Sequence, residues 1–185
     1  MRGEFDPEDL RRVAVRISSE TASLLRDHAC SQEYTQGVGG ETIVADKLAE
    51  DYILDSLRGE GLRVRGVSEE RGYFGEGDLV VVIDPLDGSS NYSNCISWAS
   101  VSLAFALGNR LGDVVAGSVA PVFFGNPLSF SKGRGCYEGG VRVTRSKGNT
   151  RMIFAYAEDP VIASKVVKFI KDLGGDIKIR GLGSA

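Results

Sequence analysis

The sequence predicts an α+β fold: an N-terminal antiparallel sheet with two long helices packed on it, followed by the start of an α/β layer. Three observations predict it. Two stretches before Gly61 carry apolar residues at helical spacing. From Arg63 onward, short apolar runs follow one another with glycine-bearing turns between them, the pattern of a sheet built from consecutive strands. After a polar break at 145–151 come a strand, a helix and another strand. Together they describe a partial α-β-α-β-α layered sandwich, with an α+β domain over 1–147 and a first βαβ unit over 148–185.

The first helix starts at Asp6-Pro7-Glu8-Asp9. Asp6 can cap, Pro7 suits the first helical position, and the acids favour the positive end of the helix dipole. Leu10, Val13, Ala14, Ile17, Thr21, Leu24 and Leu25 then mark one face, and the helix is expected to end between His28 and Ser31. The glycine-bearing stretch 37–40 reads as a loop. A second helix is expected from about Ile43, with Leu48, Tyr52, Ile53 and Leu57 on its apolar face and Gly59 and Gly61 at its end. Strands are expected at 63–67, 79–83, 97–107, 114–120, 128–131, 136–138 and 141–144. The run Leu79 to Ile83 is continuously apolar and β-branched, which suggests a buried strand. In the last unit a strand over 152–157 precedes a helix opened by Asp159-Pro160 and stopped by Gly174-Gly175, and a strand over 177–179 follows.

Composition narrows the chemistry. The 185 residues are 42% hydrophobic and 25% charged with a formal net charge of −3, and no Lys/Arg run stands out, so no nucleic-acid partner is expected. The longest apolar stretches, 80–83 and 99–107, are too short to span a bilayer, so no membrane partner is expected. Met1 to Asp9 is polar and acidic rather than a secretory signal, and a cytoplasmic location is expected. Cys30, Cys95 and Cys136 lie far apart with no C-x-x-C pattern, so reduced, buried or half-buried thiols are expected. The single histidine, His28, falls near a helix end, where capping or solvation is its ordinary role. Chemistry in such a chain runs on carboxylates, hydroxyls and hard metal ions.

The segment Asp84-Pro85-Leu86-Asp87-Gly88-Ser89-Ser90-Asn91 carries that chemistry. A strand delivers Asp84 to its end, Asp87 follows three residues on, and the Leu86 carbonyl lies between them. This oxygen set suits a hard cation such as Mg²⁺. Gly88-Ser89-Ser90-Asn91 reads as a helix start whose backbone N–H groups can hold a phosphate. Elsewhere, Glu69-Glu70 alone reads as a solvated acidic turn, and Asp46 with Glu50 alone as an exposed helix face.

The string from Asp84 to Asn91 resembles the D-P-[IL]-D-G-[ST]-x-N signature of the inositol monophosphatase and fructose-1,6-bisphosphatase superfamily. Ser68-Glu69-Glu70 is similar to that family's acidic motif upstream of it. Thr42, Asp46, Ala49 and Glu50 resemble its helix motif, and Gly181-Leu182-Gly183-Ser184-Ala185 resembles the start of its G-[ST]-A-A segment. The resemblance covers about 37–185 and is to an archaeal-like dual-specificity member, although Gly40-Glu41-Thr42 departs slightly from the archaeal G-T-x-T form. It implies that Glu69, Asp84, Asp87 and the Leu86 carbonyl hold two or three Mg²⁺ ions, with Mn²⁺ an alternative. It further implies that Asp46, Ser89 and Glu70 serve catalysis through a metal-activated water, and that Gly88 and Ser89 hold phosphate. Gly183, Ser184, Ala185, Arg180 and Tyr156 are the implied substrate contacts. The activity implied is hydrolysis of inositol-1-phosphate, fructose-1,6-bisphosphate or both. A 3′-phosphoadenosine 5′-phosphate phosphatase, or a catalytically incomplete homologue that binds metal or phosphate, stays open beside it. The family's later W-D-x-A-A-G motif has no counterpart, since Trp98 precedes Ala99. The chain is therefore expected to be C-terminally short and to form a homo-oligomer, dimer or tetramer.

Overall fold

Asp6 opens the first helix as its local sequence dictates. In the computed structural model, which describes residues 5–30, 32–37, 40–144, 152–155, 159–174, 177–181 and 183–184, helix α1 runs Pro7–Asp27. The Asp6 carboxylate accepts from the Glu8 N–H at 2.7 Å, and exposed His28 caps the far end. Leu10, Ala14, Ile17, Thr21 and Leu25 form its buried stripe.

Gly37 and Gly40, expected within a loop over 37–40, instead end two paired strands, β1 (Tyr34–Gly37) and antiparallel β2 (Gly40–Ile43), with Tyr34 opposite Ile43 and Gly37 opposite Gly40, while 38 and 39 lie outside the described residues. Strand formers on either side of the glycines (Tyr34 and Thr35, Thr42 and Ile43) override the loop signal the glycines give.

Helix α2 (Val44–Gly59) buries Ile53 and Leu57 as the sequence suggests, but its buried face is shifted away from Leu48. Leu48 is exposed, while Ala45, Ala49, Ile53 and Leu57 pack inward and carry Asp46 and Glu50 with them.

Eight strands form the main sheet: β3 (Val64–Ser68), β4 (Gly72–Gly75), β5 (Leu79–Asp87), β6 (Ser100–Ala106), β7 (Val114–Pro121), β8 (Leu128–Ser131), β9 (Gly135–Glu138) and β10 (Val141–Val143). Their order is β10-β9-β8-β7-β6-β5-β3-β4. Every neighbouring pair is antiparallel except β3 with β5. Helices α1 and α2 pack on one face, over β5, β6, β7 and β8. Strand β5 shows the result: Leu79, Val81 and Ile83 are buried, whereas Val82 is 44% exposed. The strand is thus buried on one face, not throughout, because the two helices cover one side.

The chain folds as two compact units, one of residues 1–144 with 184–185 and a second of residues 145–183. The second contains β11 (Met152–Phe154), helix α4 (Pro160–Leu173) and β12 (Lys178–Arg180), with β11 and β12 parallel. Asp159 caps α4 by accepting from the Val161 and Ile162 N–H groups. Among the described residues, no helix is long and apolar enough to cross a membrane.

Cys30 and Cys95 are disulfide-bonded, with Cα atoms 5.0 Å apart. This corrects the expectation of reduced thiols, and Cys136, which is free, is exposed rather than buried. The partners lie 65 positions apart, so no local spacing announces the pair. The end of α1 meets the loop after the short helix α3 (Ser89–Ser93) because two further bonds hold them together. The Tyr92 hydroxyl donates to the Leu25 carbonyl at 2.8 Å, and Gln32 donates to the Ser93 carbonyl at 3.2 Å.

Candidate acidic metal and phosphate site

The site grows out of an irregularity in β5. Asp84 stands opposite Ser102 of β6 and Asp87 opposite Ser100, so Pro85 and Leu86 face the single residue Val101. Two residues against one is a β-bulge, and Pro85, which has no N–H to give the ladder, sits where the ladder breaks. The bulge swings the strand into Gly88, whose left-handed backbone (φ 87°, ψ 39°) starts α3 without any side-chain cap. An L-residue at Gly88 would be strained.

Asp84 is the centre. Burial, then the charge on Glu69, then Asp87, a hydrogen bond with Glu69 and finally Asp46 push its carboxyl up to about 7 from an ordinary 3.8. Its Oδ1 is buried with no hydrogen-bond partner among the described residues. Asp46, expected on an exposed helix face if read alone, is 4% exposed, and Glu50 beside it 2%. Asp46 also helps burial raise the Tyr92 phenol to about 12. Glu69 is exposed and Glu70 half-buried, on the turn between β3 and β4. The Glu69 N–H donates to the Ile83 carbonyl at 3.3 Å, which seats the turn beside Asp84. Leu86 is buried, and Gly88 and Ser89 are half-buried at the start of α3.

Asp87 is held by hydroxyls. Ser184 Oγ donates to Asp87 Oδ2 at 3.0 Å, Ser100 Oγ donates to the same oxygen at 3.3 Å, and the two hydroxyls lie 3.0 Å apart. Ser184 is thereby brought to the acidic site. Ser100 carries no signal in the sequence, because only the pairing of β6 with β5 reveals it. Arg180 is exposed in β12, paired with Phe154, and Gly183 lies in the second unit. Tyr156 and Ala185 lie outside the described residues.

The donor chemistry fits a hard divalent cation: carboxylates crowded enough to repel, and a buried carboxylate oxygen without a hydrogen-bond partner among the described residues. Among the described residues, however, no three His, Cys, Asp or Glu side chains stand together at metal-holding geometry.

A pH dependence follows for the metal-free protein. The raised Asp84 carboxyl keeps its proton in the folded chain between about pH 4 and 7, where the unfolded chain has lost it. That stabilisation is complete at the acid end and is lost as pH rises toward 7. Glu8, lowered chiefly by its hydrogen bond to Arg11, acts oppositely, and its contribution disappears as pH falls below the ordinary carboxylate range. In EDTA the melting temperature should therefore peak near roughly pH 5 and decline toward pH 8. The decline should flatten in Asp84→Asn; an identical slope in that variant would refute the assignment.

The sequence model of the inositol monophosphatase family matches residues 6–171. The chain is 50% identical over 187 aligned positions to an inositol-1-monophosphatase of Aeropyrum pernix, covering 98% of this chain and 70% of that protein. It is 38% identical over 140 positions to a fructose-1,6-bisphosphatase/inositol-1-monophosphatase of Archaeoglobus fulgidus, covering 71% of this chain but only 54% of the relative. Among solved structures, an IMPase of Thermotoga maritima superposes with a TM-score of 0.75 at 23% identity, over 95% of this chain and 69% of the other. The family match and the two relatives, both named as phosphatases, place the chain in a class of phosphatases. More narrowly, the chain belongs to the inositol monophosphatase family.

Proposed function

We propose that this chain carries the site of a Mg²⁺-dependent phosphomonoesterase acting on inositol-1-phosphate, fructose-1,6-bisphosphate or both. The observation that carries the reading is Asp84: half-buried, ringed by Glu69, Asp87 and Asp46, and left with an oxygen that has no hydrogen-bond partner among the described residues. The activities after which the Aeropyrum and Archaeoglobus relatives are named supply the two substrates.

In this reading Glu69, Asp84, Asp87 and the Leu86 carbonyl hold two or three Mg²⁺ ions. Bound divalent ions supply an acidified water and neutralise charge on the ester. The chain's own groups do the rest. Asp46, with the Ser89 hydroxyl, orients the attacking water and takes up its proton, while Glu70 supports the turn that presents Glu69. The Gly88 and Ser89 N–H groups hold the phosphoryl oxygens in line for attack. Ser100 and Ser184 fix the orientation of Asp87 through its Oδ2. Gly183, Arg180, Tyr156 and Ala185 are the proposed contacts to the sugar or inositol ring.

The domains are proposed as 1–147 and 148–185, the working assembly as a homo-oligomer and the workplace as the cytoplasm. The Cys30–Cys95 disulfide pulls against the last, because cytosolic thiols are usually kept reduced outside hyperthermophiles. Counting free thiols on protein alkylated inside the cell decides between them.

The test is phosphate release from both esters with Mg²⁺ and with EDTA. Mg²⁺-dependent release is the expected result. A second reading, an incomplete homologue that binds metal or phosphate, is favoured by the lack of a three-carboxylate group at metal-holding geometry among the described residues. Mg²⁺ that raises the melting temperature without any release would support it.

A further inference from the structure

We infer that Arg71 is a positioning residue for the acidic site. It holds the Glu69–Glu70 turn against α2 at the spacing that lets Glu69 and Asp46 both face Asp84; the inference rests on the metal reading above. Arg71 closes the turn Glu69-Glu70-Arg71, which joins the paired residues Ser68 and Gly72. Its guanidinium bridges two acids of α2. Nε donates to Glu50 Oε2 at 3.1 Å and Nη2 donates to Asp51 Oδ1 at 2.8 Å.

The two arms are unequal. The Asp51 side chain is 51% exposed, so water screens that contact. The Glu50 side chain is 3% exposed, and a carboxylate taken that far out of water depends on its partner. Its other oxygen, Oε1, is buried without a hydrogen-bond partner among the described residues, so Arg71 sets how this carboxylate lies. Glu50 follows Asp46 by one helical turn on the same buried face. The grip therefore ties the turn that carries Glu69 to the helix face that carries Asp46. At its other end the turn is pinned to β5 through the Glu69 N–H and Ile83, next to Asp84.

Arg71 touches neither substrate nor reacting water. It acts through Glu50 and Glu69, setting the separation of carboxylates that a divalent ion must bridge. Loss of such an orienting partner typically weakens metal binding by about 10- to 100-fold. Without Arg71 the buried Glu50 carboxylate is left to turn, and the Glu69 turn loses its hold on α2.

The test measures Mn²⁺ binding to the full chain by electron paramagnetic resonance, without substrate, alongside melting temperature. Wild type, Arg71→Ala, Arg71→Lys and Asp51→Asn are compared. The Mn²⁺ dissociation constant should rise at least about tenfold in Arg71→Ala, recover partly in Arg71→Lys, and stay within about twofold of wild type in Asp51→Asn. Should Arg71→Ala fail to fold, Glu50→Gln/Arg71→Met, which removes both charges together, takes its place with the same expected loss. A lower melting temperature with unchanged Mn²⁺ affinity overturns the inference and leaves Arg71 a structural residue. Wild-type protein that binds no Mn²⁺ overturns the metal reading itself, and the inference with it.

Discussion

Reduction of the Cys30–Cys95 disulfide should lower the melting temperature of the first unit by roughly 10 °C. The bond joins residues 65 positions apart. Closing a loop of that length removes enough freedom from the unfolded chain to stabilise the fold by about 4 kcal/mol in the chain-entropy account. A change of 1 kcal/mol moves the midpoint by about 2–4 °C at this size. Both cysteines are exposed, so dithiothreitol can reach them without prior unfolding. The reduced chain should still fold, because the Tyr92–Leu25 and Gln32–Ser93 bonds tie the same two segments. Calorimetry with and without reductant reads the shift, and Cys95→Ser should reproduce it in the absence of reductant. Cys136→Ser, a change at an exposed free thiol, should leave the midpoint in place. A shift below about 2 °C, in protein shown by thiol titration to be fully reduced, would refute the assigned role.

Asp84→Asn should move activity and stability in opposite directions. Mg²⁺-dependent phosphate release should fall by roughly a thousandfold, since a ligand that brings a metal to the reacting oxygens supports several kcal/mol of the barrier reduction. The same substitution should raise the melting temperature in EDTA at pH 8, because it removes a charge that burial and the Glu69 and Asp87 carboxylates disfavour. The pair of measurements separates a functional strain from simple damage. Asn that lowers both would mean that Asp84 is a structural residue whose hydrogen bonding the amide cannot reproduce. Asn that leaves release intact would falsify the placement of the metal.

Much of this is legible in the sequence where the signal is local. The start of α1 is one case: Asp6 caps, Pro7 follows, and the helix begins where those residues put it. Asp159-Pro160 repeats the device for α4. The order of acidic motifs also points to Asp84 and Asp87, and burial and charge place Asp46 and Glu69 around Asp84. What escapes depends on partners distant in the chain. The inward face of α2 is only partly legible: Ile53 and Leu57 are buried as their spacing suggests, but Leu48 is exposed, and Ala45 and Ala49 are buried together with Asp46 and Glu50. The β1–β2 pairing is masked by its glycines. The disulfide has no motif at all, since only the meeting of α1 with the loop after α3 pairs Cys30 with Cys95. Ser100 is likewise visible only once β6 is laid beside β5 in register.

The bond from Ser184 to Asp87 spans 97 positions of chain. At about 5–20 residues per second, a ribosome needs roughly 5–20 s to make that stretch. Throughout that interval Asp84, Asp87 and Ser100 have been synthesised, but Ser184, the second hydroxyl on Asp87 Oδ2, has not. A nascent chain thus carries the acidic cluster with one of these two hydroxyls before it carries the other. The pair of hydroxyls on Asp87 is completed late, near the end of translation of this segment.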